Sequence, residues 1–356
     1  MSGRRSSPFD TLRFYIELTL PYMGINLNNS TEIEEDAKRV LQSMRALRSG
    51  KKTMWKLLVE FHAASCADDR DKIYAFNSLS YNPLPVDYHH HPDQLFTEFA
   101  TVESLLNPMA ILACAGAFRS LPWALPTWVP DWRSQPVHSL RSIMDRGDPE
   151  RTDFAARVAI IDYHLTIQGI NVGCVSESSL AYHPGRYIKN QIGGIIENWL
   201  AFFHDLNSKN IDTPRDLHEL VQILAGAENV EDYNEVETFS FLFTPDRFNY
   251  KSRTIKNTIS PHDMARLERE ILERMRGRRV VSLSNGYLAM GPGDLGTGDT
   301  LVAMPGSRIV IALRPVGGVG RYRVIGDCYV AKFDNEEWFA ELNSNQADEL
   351  QSFIII

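Results

Sequence analysis

No stretch of this sequence approaches the ~18 consecutive apolar residues that a transmembrane helix needs, so no membrane partner is expected. The amino-terminal stretch MSGRRSSPFDTLRFYIELTL begins basic, but Asp10 and Glu17 fall where a secretory leader needs its apolar core. The expected location is therefore cytoplasmic. Cysteine is scarce. Cys66, Cys114, Cys174 and Cys328 stand far apart, with no C-x-x-C pair. That excludes the common zinc and thioredoxin-like spacings and fits free thiols in a reducing compartment. Positive charge is also in short supply. Against 45 acidic residues stand 37 lysines and arginines, a formal charge of −8 and the wrong sign for a nucleic-acid footprint. The local basic runs Arg247–Arg253 and Arg274–Arg279 are weak exceptions. No G-x-S-x-G elbow, Walker loop, H-E-x-x-H or EF-hand occurs. No catalytic residue, metal ligand or cofactor is assigned.

The chain does have the makings of a large core: 44% of its 356 residues are hydrophobic. Thr31, three before Glu34, opens a capping-box helix that carries Val40, Leu41, Met44 and Leu47 and ends at Gly50. A second helix is expected over Thr53–Ala64. A third, after Asp68, holds Ile73, Tyr74, Phe76 and Leu79, and a fourth starts at Pro92. Leu121–Trp132 packs three prolines and three tryptophans into an ordered loop. Polar Ser134–Arg151 looks like a surface loop. Arg157–Ile161 and His164–Val175 form a hairpin about Asp162–Tyr163. Gln191–Leu206, Pro214–Leu224 and Pro261–Arg276 look helical.

Five short strands follow, at Arg279–Leu283, Gly286–Ala289, Thr300–Met304, Ile309–Leu313 and Tyr322–Val330, divided by Gly/Pro/Asp turns. A helix over Glu336–Ser352 and an apolar tail end the chain. The fold class is α+β: a helical amino-terminal half, a β-hairpin, further helices, then a small antiparallel sheet or barrel. The expected division is 1–133 helical, 134–156 linker, 157–277 hairpin plus helices, and 278–356 β module with a final helix.

Several constellations invite chemistry. Gly291-Pro-Gly-Asp-Leu-Gly296 has the G-x-G-x-x-G form, but a strand follows where a phosphate site needs a helix. It is a turn. His89-His90-His91 cannot converge on a metal from an extended chain. His62 and Cys66 could share a helical face, but no third group orients them. Asp68-Asp69-Arg70-Asp71-Lys72 places carboxylates at a helix start and an arginine suited to forked anion recognition. Trp123, Trp128 and Trp132 could line an aromatic groove beside Asp131.

Cys66-Ala-Asp-Asp-Arg-Asp-Lys-Ile-Tyr-Ala-Phe76 resembles the C-[ST]-D-P-R-D-[KR]-[IV]-Y-A-L stretch of the fungal heterokaryon-incompatibility (HET) proteins, with Asp69 in place of proline. Further blocks follow in that family's order. Val86-Asp-Tyr88 resembles its P-D-Y step, and Leu125-Pro-Thr-Trp-Val-Pro-Asp-Trp132 its L-P-S-W-V-P-D-W. Asn285–Pro292 with Gly298-Asp299 resembles its G-Y-x-G-L-G-P…G-D. Leu313-Arg-Pro315 resembles L-R-P, and Val324-Ile-Gly-Asp-Cys-Tyr-Val330 resembles L-V-G-E-C-Y-V. The blocks span about residues 55–340, with 135–280 loosely tied. The A-L-S-Y-x-W-G and W-I-D-A-[LI]-C-I-N-Q motifs of the HET domain itself do not occur. The resemblance implies the region C-terminal to that domain, as a truncated family member.

Two functions are expected from this. The first is a non-enzymatic accessory or regulatory region in non-self recognition, binding a protein partner or restraining an effector domain. The alternative is an enzyme or small-molecule-binding protein of fungal secondary metabolism. Its ligand-binding residues would be Asp69, Arg70, Asp71, Trp128, Asp131 and Trp132, converging on one pocket.

Overall fold

The computed structural model describes residues 52–119, 125–146, 157–183, 192–209, 219–220, 223–224, 272–318, 320–330 and 350–356. The helix expected over 31–50, the basic run 247–253 and most of the helices expected over 214–224, 261–276 and 336–352 lie outside the described residues. The chain divides into two units, up to Leu95 and from Phe96 onward.

In the first unit, α1 (Met54–Glu60) buries Met54, Trp55, Leu57, Leu58 and Val59. Lys52 ties its start to the chain beyond it. Its backbone pairs with Leu79 and Tyr81, and its ammonium meets Glu60 at 2.9 Å. The expected third helix is shorter than its apolar spacing suggested. It is one turn, α2 (Asp71–Tyr74), then a 3-10 turn over Asn77–Leu79. Asn77 explains the break: its amide bonds both the N–H and the carbonyl of Leu84, clamping the Pro-rich loop. Tyr74 Oη does the same for Asp87.

α3 (Pro92–Leu106) begins at its proline, and Asn107 separates it from α4 (Pro108–Ala117). Every residue of α4 is buried, the pattern of a helix enclosed on all sides. Gly116 lets it seat on a neighbouring strand. A methyl there would stand 2.2 Å from Gly326 Cα. We expect Gly116→Ala to lower the unfolding free energy by about 1–3 kcal/mol through overpacking, read from urea midpoints. An unchanged midpoint would contradict this seating.

Residues 134–146, expected as surface linker, are partly core. α5 (Arg141–Arg146) lies here, and His138, Ser139 and Ile143 are buried. The hairpin forms as expected, with β1 (Val158–Ile161) and β2 (His164–Ser178) in register Ile161↔His164. Asp162 (φ 48°) and Tyr163 (φ 61°) both take the left-handed conformation of a two-residue turn. Trp128 Nε1 donates to the Tyr163 carbonyl at 2.9 Å and steadies that strained tip.

After α6 (Ile192–Lys209) come β3 (Arg278–Leu283), β4 (Leu288–Pro292), β5 (Thr300–Ala303), β6 (Val310–Pro315), β7 (Arg321–Val330) and β8 (Gln351–Ile355). The strands run β1-β2-β3-β4-β7-β6-β5, and β5 also pairs with β2. The ring β2-β3-β4-β7-β6-β5 is therefore a closed barrel. Closure leaves no free edge in the ring. β2 is a stave of that barrel, so the hairpin is not separate from the β module. The strand bends to serve two neighbours. Its register shifts at Asn171/Gly173, where Gly173 has φ 148°, and it pairs with β5 before the end of the bend and β3 beyond it. The apolar tail is β8, antiparallel to β2 and parallel to β7. Phe353 and Ile355 alternate inward.

The strands are hydrophobic on both faces because both are covered. Val281, Ala289, Cys328 and Val330 join one core cluster. Their neighbours Val280, Leu288, Met290 and Tyr329 join another, with Trp199 and Phe203 of α6.

Candidate functional site

Arg70 is held at four points. Nε and Nη2 fork onto the two Asp68 oxygens at 2.8 and 2.6 Å, and Nη1 reaches the carbonyls of Tyr88 and His90. The guanidinium also lies 5.1 Å from the Tyr88 ring centroid. These hydrogen bonds hold the Asp68 carboxyl down at about 2. Tyr88 Oη donates to Asp71 Oδ1 at 2.6 Å, which raises the phenol above its ordinary range. Asp69 takes part through its backbone carbonyl, which accepts from Lys72 N–H at 3.2 Å. Lys72 Nζ accepts nothing; it donates to the carbonyls of His62 and Ala64 at the end of α1. The charged run thus closes one helix and opens the next.

His62 Nδ1 lies 2.8 Å from the Val59 carbonyl, a contact back to the last turn of α1 from just beyond its end. Burial pushes the Cys66 thiol up, away from nucleophilic character. His90 and His91 pair with Asp87 and Asp93. No group of three or more metal-binding side chains occurs among the described residues.

In the second unit the Trp-Pro loop repeats the arrangement around Arg70. Asp131 Oδ1 takes the Arg133 N–H (3.1 Å) and Nε (2.7 Å), and Oδ2 takes Nη2 (3.1 Å). Asp68-x-Arg70 and Asp131-x-Arg133 are the same i, i+2 fork. Trp128 and Trp132 are buried, and Trp132 packs on Phe118 at 5.0 Å and Phe99 at 6.1 Å. Thr127 N–H bonds the Ile356 carbonyl beside β8. Asp69, Arg70 and Asp71 belong to the first unit, and Trp128, Asp131 and Trp132 to the second.

The G-x-G-x-x-G segment is the turn between β4 and β5. Asp299 receives Arg314 Nε and Nη2 at 2.8 and 2.9 Å and the Gly296 N–H at 2.7 Å. The G-D and L-R-P blocks therefore clasp each other across the barrel end.

Arg278 carries the most buried charge among the described residues of the second unit, and its own sequence surroundings do not mark it. Arg278 is fully buried; its Nη2 meets both Asp327 carboxylate oxygens at 2.8 and 3.0 Å and the Ser139 carbonyl, and its Nη1 donates to the Asp327 carbonyl. His138 Nδ1 lies 3.3 Å from Arg278 Nη2. Burial first, and then the Arg278 charge, pull His138 down to about 3. Its imidazole is neutral, and Nε2 has no hydrogen-bond partner. The one available signal was Asp327 itself, at the acidic position of the V-I-G-D-C-Y-V block. An acid inside an apolar strand needs a cation.

A family model described as the Het-6 beta-barrel domain matches residues 251–338, the span that holds β3 to β7. This part of the chain is similar to the Het-6 beta-barrel domain. Heterokaryon incompatibility protein 6, OR allele, of Neurospora crassa is 43% identical over 60 residues, 16% of this chain and 9% of that protein. The matched stretch is under a tenth of the relative's length. Both findings support a HET-family protein, in the region C-terminal to the HET domain. No solved structure matches. In the barrel seen here, β2 and β8 come from outside the matched span and complete the ring and its flank. Among the described residues no helix is long and apolar enough to cross a membrane.

Proposed function

We propose that this chain is a non-enzymatic accessory or regulatory region of a HET-like fungal protein. It works in the cytoplasm, in heterokaryon incompatibility and non-self recognition, by binding a protein partner or restraining an effector domain. The observation that supports this is where the polar groups of the family-like blocks go. Asp299 goes to Arg314, Asp327 to Arg278, Asp131 to Arg133 and Asp68 to Arg70. Groups consumed in this way build a scaffold and leave recognition to its surface.

The test is affinity capture with the tagged chain in extract of the parent fungus, beside an assay of the purified chain for metabolite turnover. We expect a specific protein, retained by Asp69→Asn and Asp131→Asn variants that keep their fold. Metabolite turnover that those two substitutions abolish, with no protein captured, would favour the ligand-binding alternative at Asp69, Arg70, Asp71, Trp128, Asp131 and Trp132.

A further inference from the structure

An open cleft of about 480 Å³ lies between the end of β2, the start of β3 and α6. Ser178, Arg279 and Asn198 supply its polar groups, and Leu180, Ala201 and Phe202 its apolar wall. The volume is that of a small-molecule site.

Arg279 is the unusual group here. It is half buried, and no carboxylate among the described residues comes within ion-pair distance of it. Nη1 donates to Ser178 Oγ (3.3 Å) and the Leu295 carbonyl (3.1 Å), while Nε is buried with no acceptor. Burial lowers its affinity for the proton, and only the more distant Asp294 charge offsets this. Such a guanidinium is short of an anion.

The nearest acid in the cleft does not serve. Asp205 is bound by Lys209 Nζ at 2.8 Å, and Glu177 takes the same ammonium at 2.8 Å. Asn198 uses Oδ1 on the Leu180 N–H, which leaves its Nδ2 donors for the cleft. Ser178 Oγ accepts from Arg279, so its own hydrogen can point outward. Three donor groups thus face one opening beside an apolar wall.

We propose that this cleft binds a small organic anion, a carboxylate carried on an apolar body. The free Nη2 of the guanidinium donates to the carboxylate, Asn198 and Ser178 complete its hydrogen bonds, and Leu180 and Phe202 cover the apolar part. This goes beyond the HET-like role and does not depend on it.

The test is calorimetric titration of the full chain with benzoate, benzyl alcohol and inorganic phosphate. We expect saturable benzoate binding and no comparable binding of benzyl alcohol or phosphate. Arg279→Gln should weaken benzoate by about tenfold or more, the loss of a charge-assisted pair, and Arg279→Lys by less. Ala201 is exposed, so Ala201→Trp fills the cleft without disturbing the core and should abolish binding. That variant decides the matter if Arg279→Gln fails to fold. Benzoate bound equally by Ala201→Trp or by folded Arg279→Gln would overturn the proposal. So would phosphate binding without benzoate, which would mark a simple anion site, or binding of none of the three.

Discussion

Asp327→Asn should destabilise the second unit by about 3–5 kcal/mol, the usual cost of breaking a buried ion pair from one side. Asparagine keeps the shape and one acceptor but removes the charge. Arg278, fully buried, cannot move its guanidinium to water, and arginine does not lose its proton. His138 cannot replace the carboxylate, because a neutral imidazole brings no negative charge. The loss is measured as the shift in urea midpoint at constant slope. The double change Arg278→Met with Asp327→Leu should recover most of it, since the pair repays its desolvation only partly. A single substitution costing below about 1 kcal/mol would mean that the pair sees water.

The second large effect is a pair of opposed titrations. Burial raises Glu103 from 4.5 to about 7, so the folded chain keeps its proton where the unfolded chain releases it. The stability this confers is full below about pH 4.5 and is lost as pH rises to about 7, by about 3 kcal/mol. His138 runs the other way. Its folded value of about 3 lies below the ordinary 6.5, so acidification loads the unfolded chain first. Stability is lost as pH falls from about 6.5 to 3, by about 5 kcal/mol.

Between about pH 4.5 and 6.5 the two slopes cancel. Glu103→Gln, subtracted from the parent chain at each pH, should therefore gain stability as pH rises through that window. His138→Gln should gain as pH falls through it. The comparison is made by urea unfolding across the pH range. A difference curve flat with pH for either variant would remove that residue from the account.

The strands of the barrel were legible because short β-branched runs between Gly, Pro and Asp turns allow little else. Their closure was not. It depends on β2 bending at Gly173 to pair with both β5 and β3, and a local pattern carries no information about that distant pairing. α4 was missed because a helix buried on all sides has no amphipathic period to read. β8 was obscured by its neighbours, since an apolar tail declares strand or helix only when something pairs with it. Of the candidate site, Arg70 and Asp131 stand out in the sequence as charged groups beside a helix start and a Trp-Pro loop. The D-x-R spacing that consumes them was in plain view at 68–70 and 131–133. Arg278 and His138 sit in polar or basic surroundings, and only the strand pairing of the barrel carries them inside.

The most direct test of the account is complementation in the parent fungus. Deletion of the gene should weaken incompatibility between strains that normally reject each other. Asp69→Asn and Asp131→Asn alleles should restore rejection, because a scaffold needs their fold and not their chemistry. Asp327→Asn should fail to restore it. Unchanged incompatibility on deletion, or failure of the folded Asp69→Asn and Asp131→Asn alleles alone, would contradict a non-enzymatic scaffold acting through protein interaction.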